Sequence, residues 1–245
     1  NGTLIRGASA EHTKFIFNNG GEDHLIKIQG TRTNTSSTLS KDAQIRQDTI
    51  WVNDPSLFNT EDYIILSEDD AHLMTSSWAL NSAGQINKII EINNDQIILK
   101  SKIRRNFSIE NMAYIYKINP VKNVKIKNIS IERIDQTDAQ TSNIYMDFAA
   151  NCLIKCIESF KCNFAHVDIR NSTNIEIDGS YFHEAFDYGG GGKAYGVMLH
   201  FSTGESLIQN SVFRKLRHSM ILQAGANGNV FAYNYSTQPF WTGTA

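Results

Sequence analysis

The sequence is poor in cysteine, in net charge and in long apolar runs, and each shortage excludes a class of protein. Its 245 residues hold three cysteines, Cys152, Cys156 and Cys162. An odd number this closely spaced is not a disulfide framework, and without a matching histidine cluster it is not a zinc site. The three read instead as small residues stacked in the wall of a fold. With 23 basic against 25 acidic residues the formal charge is −2, which gives no electrostatic case for nucleic acid or a membrane surface. No run approaches the roughly 18 apolar residues of a spanning helix. The chain has no initiator methionine or signal peptide, its first residues already read as a strand, and PFWTGTA follows directly on a repeat. The expectation is a piece of a longer protein.

What is present is a repeat. NIYMDFAANCLIKCIESF from Asn143, HVDIRNSTNIEIDGSYF from His166, GVMLHFSTGESLIQNSVF from Gly196 and SMILQAGANGNVFAYNYS from Ser219 each give a β-rich run, a polar bend, a second β-rich run and a corner. The spacing lies in the low twenties, stretched once by HEAFDYGGGGKAY. Such a period with alternating apolar residues predicts a parallel β-solenoid. Asn128, Cys156, Gly179, Asn210 and Asn234 are expected at equivalent corners, where asparagine tolerates left-handed backbone and can bond its copy in the next coil.

NGTLIRGAS, TKFIFNNG and HLIKIQG form the first coils, over 1–30. From Thr31 the period is lost. TRTNTSSTLSKDAQ reads as a polar loop, while DTIWVND, DYIILSE, GQINKIIEI and DQIILKSKI read as antiparallel strands. An antiparallel β insertion is therefore placed over 31–110, with EDDAHLMTSSWALNS as a surface loop. The solenoid is expected to resume at AYIYKINPVKNVKIKNISIERI and to occupy 111–245.

The shape of GVMLHFSTGESLIQNSVF, with NGTLIRGAS before it, resembles the pectate-lyase-like superfamily of right-handed parallel β-helix proteins. The resemblance implies an all-β fold, a right-handed single-stranded parallel β-helix with a small antiparallel insertion. It also implies a secreted or cell-surface protein acting on a polysaccharide partner. It does not choose a chemistry, since function lies in sites grafted on such folds.

Strand parity then sorts the residues. With Val167 and Ile169, Val197 and Leu199, Met220 and Leu222 inward, and Ile144, Met146 and Phe148 matching them, one outward row reads Asp147, Arg170, His200, Gln223. The row beside it reads Tyr145, Asp168, Met198, Ile221. Coils lie about 4.8 Å apart, so row neighbours are near enough to act on one sugar ring. A slip of one residue would turn all of them inward. The segment 183–195 should border the same groove with His183, Glu184, Asp187 and Lys193. Its glycines at 189–192 lack the spacing of a phosphate loop. KLRHS puts Lys215, Arg217 and His218 at a similar rim, and His166 reads as a turn residue.

A lyase acting beside a uronate carboxylate needs a base and a cationic group. His200 is the expected base, with Arg170 or Arg217 as the cation and Lys193 of the bordering segment as a further catalytic candidate. Asp147, Gln223, Tyr145, His183, His218 and Asp187 are the expected sugar contacts, and an acidic polysaccharide is the expected partner. Calcium between Asp147 and Asp168 is the one cofactor these residues suggest. The bland alternative for Arg170 is an ion pair with Asp168, two residues away. A glycoside hydrolase using two of Asp147, Asp168, Glu184 and Asp187 is the competing enzyme, and a non-catalytic glycan-binding spike is the competing binder.

Overall fold

The structure, a computed structural model, describes residues 2–240. Three parallel sheets form the walls of a parallel β-helix, and each coil gives one short strand to each wall. The first wall runs Leu4–Arg6, Lys125–Lys127, Ala149–Lys155, Thr173–Asp178, Leu207–Gln209, Val230–Ala232. The second runs Lys14–Phe17, Ser130–Arg133, Glu158–Phe160, Tyr181–His183, Val212–Arg214, Tyr235–Thr237. The third runs Ile26–Gln29, Ile144–Asp147, Ala165–Arg170, Tyr195–His200, His218–Leu222.

The inward residues are mainly β-branched, which suits a pleated wall. Ile126, Ile154, Ile177 and Ile208 stack from the first wall, Ile131, Phe182 and Phe213 from the second, and Ile144, Val167, Val197, Met146, Ile169 and Leu199 from the third. Burying each such side chain stabilises by about 1.5–3 kcal/mol. Leu222 keeps its inward register opposite Leu199 but is exposed, because no further coil lies over it among the described residues.

Most wall strands end at a left-handed corner. The corners after the first wall are Asn128, Cys156, Gly179, Asn210 and Tyr233. The last differs from expectation: Gln209 pairs with Ala232, so Tyr233 lies opposite Asn210, and Asn234 is one residue inside. Asn234 there starts an interior polar ladder. Its Oδ1 accepts from the Ser211 N–H at 3.0 Å, and the Ser211 Oγ accepts from the Ser180 N–H at 3.2 Å. Phe148 also departs from its inward assignment. It occupies the left-handed corner after the third wall, and packs outward against the insertion beside Tyr63, Ile65 and Tyr116. His166, read as a turn residue, is fully buried in a strand, with Nδ1 2.8 Å from the Ser159 hydroxyl and Nε2 3.0 Å from the Glu184 carbonyl. The cysteines are free, Cys152 and Cys162 buried and Cys156 exposed at its corner.

The insertion is one antiparallel sheet ordered Thr31–Thr38, Tyr114–Asn119, Tyr63–Ser67, Gln85–Asn93, Gln96–Leu99, Thr49–Trp51. It reaches residue 119 rather than 110, because AYIYKIN pairs antiparallel with Thr31–Thr38 and Tyr63–Ser67 instead of opening a coil. The stretch read as a polar loop is its edge strand, where threonines meet the β preference that polarity obscured. The segment expected as a surface loop holds two short 3-10 turns, Ala71–Leu73 and Ser77–Ala79. It is pinned by the buried Asp70, whose carboxylate accepts from the N–H groups of Asn81, Ser82 and Ala83 at 2.6–2.8 Å.

The insertion is fastened to the third-wall corners. The Ser202 hydroxyl donates to the Ser82 carbonyl at 2.8 Å and accepts from the Gly84 N–H at 3.0 Å. Asn227 Nδ2 donates to the Gly84 carbonyl at 2.9 Å, and Arg104 pairs with Glu205. Gly225, at φ +83°, lets the two backbones meet, since a Cβ there would strike the Ser82 carbonyl.

Candidate functional site

On the third wall the register places Asp147, Arg170 and His200 directly opposite one another on successive coils. Beside them Tyr145, Asp168, Met198 and Ile221 form the second row. Gln29 and Lys27 extend the two rows into the first coil. Gln223 follows His200, and its backbone N–H bonds the Leu199 carbonyl at 3.2 Å.

The centre of the face is Asp168, which is fully buried. Its Oδ1 lies 2.6 Å from His200 Nε2, and its Oδ2 accepts from Arg170 Nη2 at 2.9 Å and Nε at 3.2 Å. Burial pushes this carboxyl upward, but the hydrogen bond and charge of His200 and Arg170 outweigh it and hold the group below the usual carboxylate range. Arg170 shows the complement: burial works against its charge, and Asp168 more than restores it. The expected local ion pair between Asp168 and Arg170 is thus present. His200 Nδ1 is buried and has no hydrogen-bond partner among the described residues.

Asp147 is in a different state. Burial dominates and raises its carboxyl, although Asn171 Nδ2 donates to it at 2.9 Å and the Tyr145 hydroxyl at 3.4 Å. Burial, with Asp147 beside it, pushes the Tyr145 phenol up to about 12. Two carboxyl groups on adjacent coils are therefore biased in opposite directions.

Aromatic rings frame these polar groups. Phe201 stacks on His200 with centroids 4.3 Å apart, and Trp78, an exposed residue of the insertion, meets Phe201 edge-on at 6.3 Å. The Arg170 guanidinium lies 5.3 Å from the Tyr145 ring centre and 5.6 Å from that of Phe201. A cleft of about 490 Å³ opens among Trp78, Arg170, His200, Phe201 and Gln223 on one side and Gln140, Phe164, Gly191, Gly192 and Tyr195 on the other. The glycine segment does border the groove.

Other expected residues stand apart. His183 is on the outward face of the second wall, bonded to Glu158 at 2.9 Å and stacked between Phe160 and Tyr181, because its strand belongs to another sheet. Lys193 is held by Asp187 at 2.6 Å and Asp138 at 3.1 Å, which occupies both Lys193 and Asp187 within the loop. Arg217 Nη1 donates to the Gly189 carbonyl at 3.4 Å, and His218 lies against Tyr195. None of the five lines the cleft. Glu184 meets Arg214 and Lys215 at its corner. The Asp147 and Asp168 pair does not fit calcium: both oxygens of Asp168 already face cationic or N–H partners, and no group of three His, Cys, Asp or Glu suited to a metal occurs among the described residues.

Parity missed His24, Trp78 and Phe201. His24 precedes the first-coil strand and stacks on Tyr145 at 4.1 Å. Phe201 follows His200 directly, so the corner after each third-wall strand was the available signal. Trp78 comes from the insertion and carries no signal in the repeat.

No family model matches the chain, and no curated protein does. Solved structures do. The tailspike gp61 of Pseudomonas phage phi297 superposes with a TM-score of 0.70 at 10% identity, over 97% of this chain and 39% of that one. The tailspike gp49 of Pseudomonas phage LKA1 gives 0.58 at 12% identity, over 97% and 41%. At these identities the likeness shows a shared β-helix fold. The chain spans about two fifths of the length of either tailspike.

Proposed function

We propose that the chain is the glycan-acting part of a tailspike-like protein, which binds an acidic surface polysaccharide in the third-wall cleft and cleaves it by β-elimination. The observation that supports this most directly is the buried Asp168 held between His200 and Arg170, on a face lined by Tyr145, Phe201 and Trp78. Aromatic faces suit sugar rings. Asp168 orients the imidazole through Nε2, leaving Nδ1 as the base for the proton beside a uronate carboxylate. The electron pair released forms the ring double bond and the glycosidic oxygen leaves. Asp147, whose carboxyl burial raises, is the acid proposed to protonate that oxygen. Arg170 keeps its Nε and Nη2 edge on Asp168 and offers Nη1 to the substrate carboxylate. Because Nδ1 is buried, a local movement of the side chains around it must accompany substrate access. Such a substrate is met outside the cell.

One observation favours glycoside hydrolysis as the second reading. Asp147 raised and Asp168 lowered is the division of labour of an acid and an ionised partner. Incubation with a panel of acidic and neutral polysaccharides separates the readings. β-Elimination gives a conjugated unsaturated uronate with new ultraviolet absorbance, hydrolysis gives reducing ends without it, and a pure binder gives neither. Reducing ends without the absorbance would overturn the lyase reading.

A further inference from the structure

On the far side of the helix the outward face of the first wall carries a second arrangement that the cleft does not use. Register places Arg6, Lys127 and Lys155 directly opposite one another on three successive coils, and Leu4, Lys125 and Leu153 beside them. Together with Asn128 most of these line a groove of about 440 Å³. Lys155 is paired with Asp178 at 2.7 Å, which closes the row on the next coil. Arg6, Lys125 and Lys127 have no ion pair among the described residues.

Like charges directly opposite in a sheet destabilise it. Three cations at a pitch of about 4.8 Å make a line of about 10 Å in which only one end is neutralised. Alongside in the groove lie Leu4 and a further cation, Lys125, so the groove offers a charged surface with one apolar side chain at its end. We propose that this groove is a second, non-catalytic binding site for an acidic polysaccharide, with substrate carboxylates along the unpaired Arg6, Lys125 and Lys127 and a sugar ring face over Leu4. The inference builds on the polysaccharide reading above but concerns a different face. A nucleic acid fits less well, since the chain as a whole is slightly acidic and has no broad positive field. A membrane surface fits less well too, since the two rows carry no aromatic residue.

The test is binding of the described chain to immobilised polygalacturonate over a salt series, beside a neutral glucan, duplex DNA and phosphatidylserine vesicles. The wild type should bind polygalacturonate with salt-dependent affinity. The variant R6Q/K125Q/K127Q should lose about tenfold or more at low salt, with a salt dependence shallower by about one unit per cation removed. Its thermal stability should be unchanged or raised, because the repulsion is relieved. Lys125→Gln alone should give a smaller loss in the same direction. H200Q, which disables the proposed cleft chemistry, should lose turnover yet show the same further, salt-dependent loss of binding when combined with R6Q/K125Q/K127Q, so failure of the cleft reading and of this one are separable. Undiminished binding by the triple variant, no binding by the wild type, lowered stability of the triple variant, or equal affinity for DNA or vesicles would each overturn the proposal.

Discussion

Asp168→Asn removes one charge and almost no volume at a fully buried position, which makes it the most informative single change. The wild-type carboxylate satisfies His200 Nε2 at 2.6 Å and Arg170 through Nε and Nη2. An asparagine there keeps one acceptor oxygen and turns a donor toward the other two donors. Removing one partner of a buried ion pair costs about 3–5 kcal/mol, and the lower end applies because the Arg170 side chain retains some exposure to water. At about 2–4 °C per kcal/mol for a chain of this size, a loss near 3 kcal/mol lowers the melting temperature by about 6–12 °C. The assay is thermal and urea unfolding of the wild type, D168N, R170Q and the double variant. The double variant should cost less than the two singles combined, since each single strands the partner of the other. A D168N protein as stable as the wild type would refute the view that this carboxylate is held by its two neighbours, and with it the oriented imidazole on which the proposed chemistry depends.

The two carboxyls should also give opposite pH signatures. Asp168, with its folded value below the unfolded one near ~3.9, contributes stability above that pH and loses it as pH falls through its folded value; D168N should flatten this acid limb in urea titrations. Asp147, raised by burial, contributes most below ~3.9 and progressively costs stability as pH rises through its folded value, so D147N should be relatively more stable at neutral pH than at acid pH. Gly225→Ala should loosen the insertion by about 2 kcal/mol or more, because its Cβ would strike the Ser82 carbonyl from a left-handed backbone, and limited proteolysis within 31–119 would report it. Trp78→Ala should weaken glycan binding by about 1 kcal/mol with the melting temperature unchanged, measured by calorimetry on any polysaccharide the protein turns over; a fall in stability instead would mean the ring is structural.

The outward rows were legible because a strand has a period of two and a solenoid repeats its register. Once Val167, Val197 and Met220 are inward, Asp147, Arg170 and His200 must share a line, and they do. The corners were legible to within one residue, Tyr233 in place of Asn234, since glycine and asparagine mark left-handed backbone statistically while register fixes it. The insertion edge was not legible. AYIYKIN alternates as a solenoid strand would, and alternation does not distinguish a parallel from an antiparallel neighbour.

Depth was the other thing the pattern could not carry. Parity says that Asp168 and Met198 face outward, yet both are fully buried, because outward of one wall is not the same as toward water. What covers that face comes from Phe201 at a corner and from 183–195, with Trp78 of the insertion at its margin, all separated in sequence from the rows they frame. That covering changes the chemistry. A carboxylate in open groove would be an ordinary surface acid, whereas under cover Asp168 stays ionised only by holding His200 and Arg170, and Asp147, with weaker partners, is pushed toward its protonated form. His183 dropped out because its strand belongs to the second wall, and Lys193 and Asp187 because they pair with each other within the loop. The insertion supplies Trp78 at the margin of this face, so the Trp78 variant acts on the site directly and the Gly225 variant through the seating of the insertion.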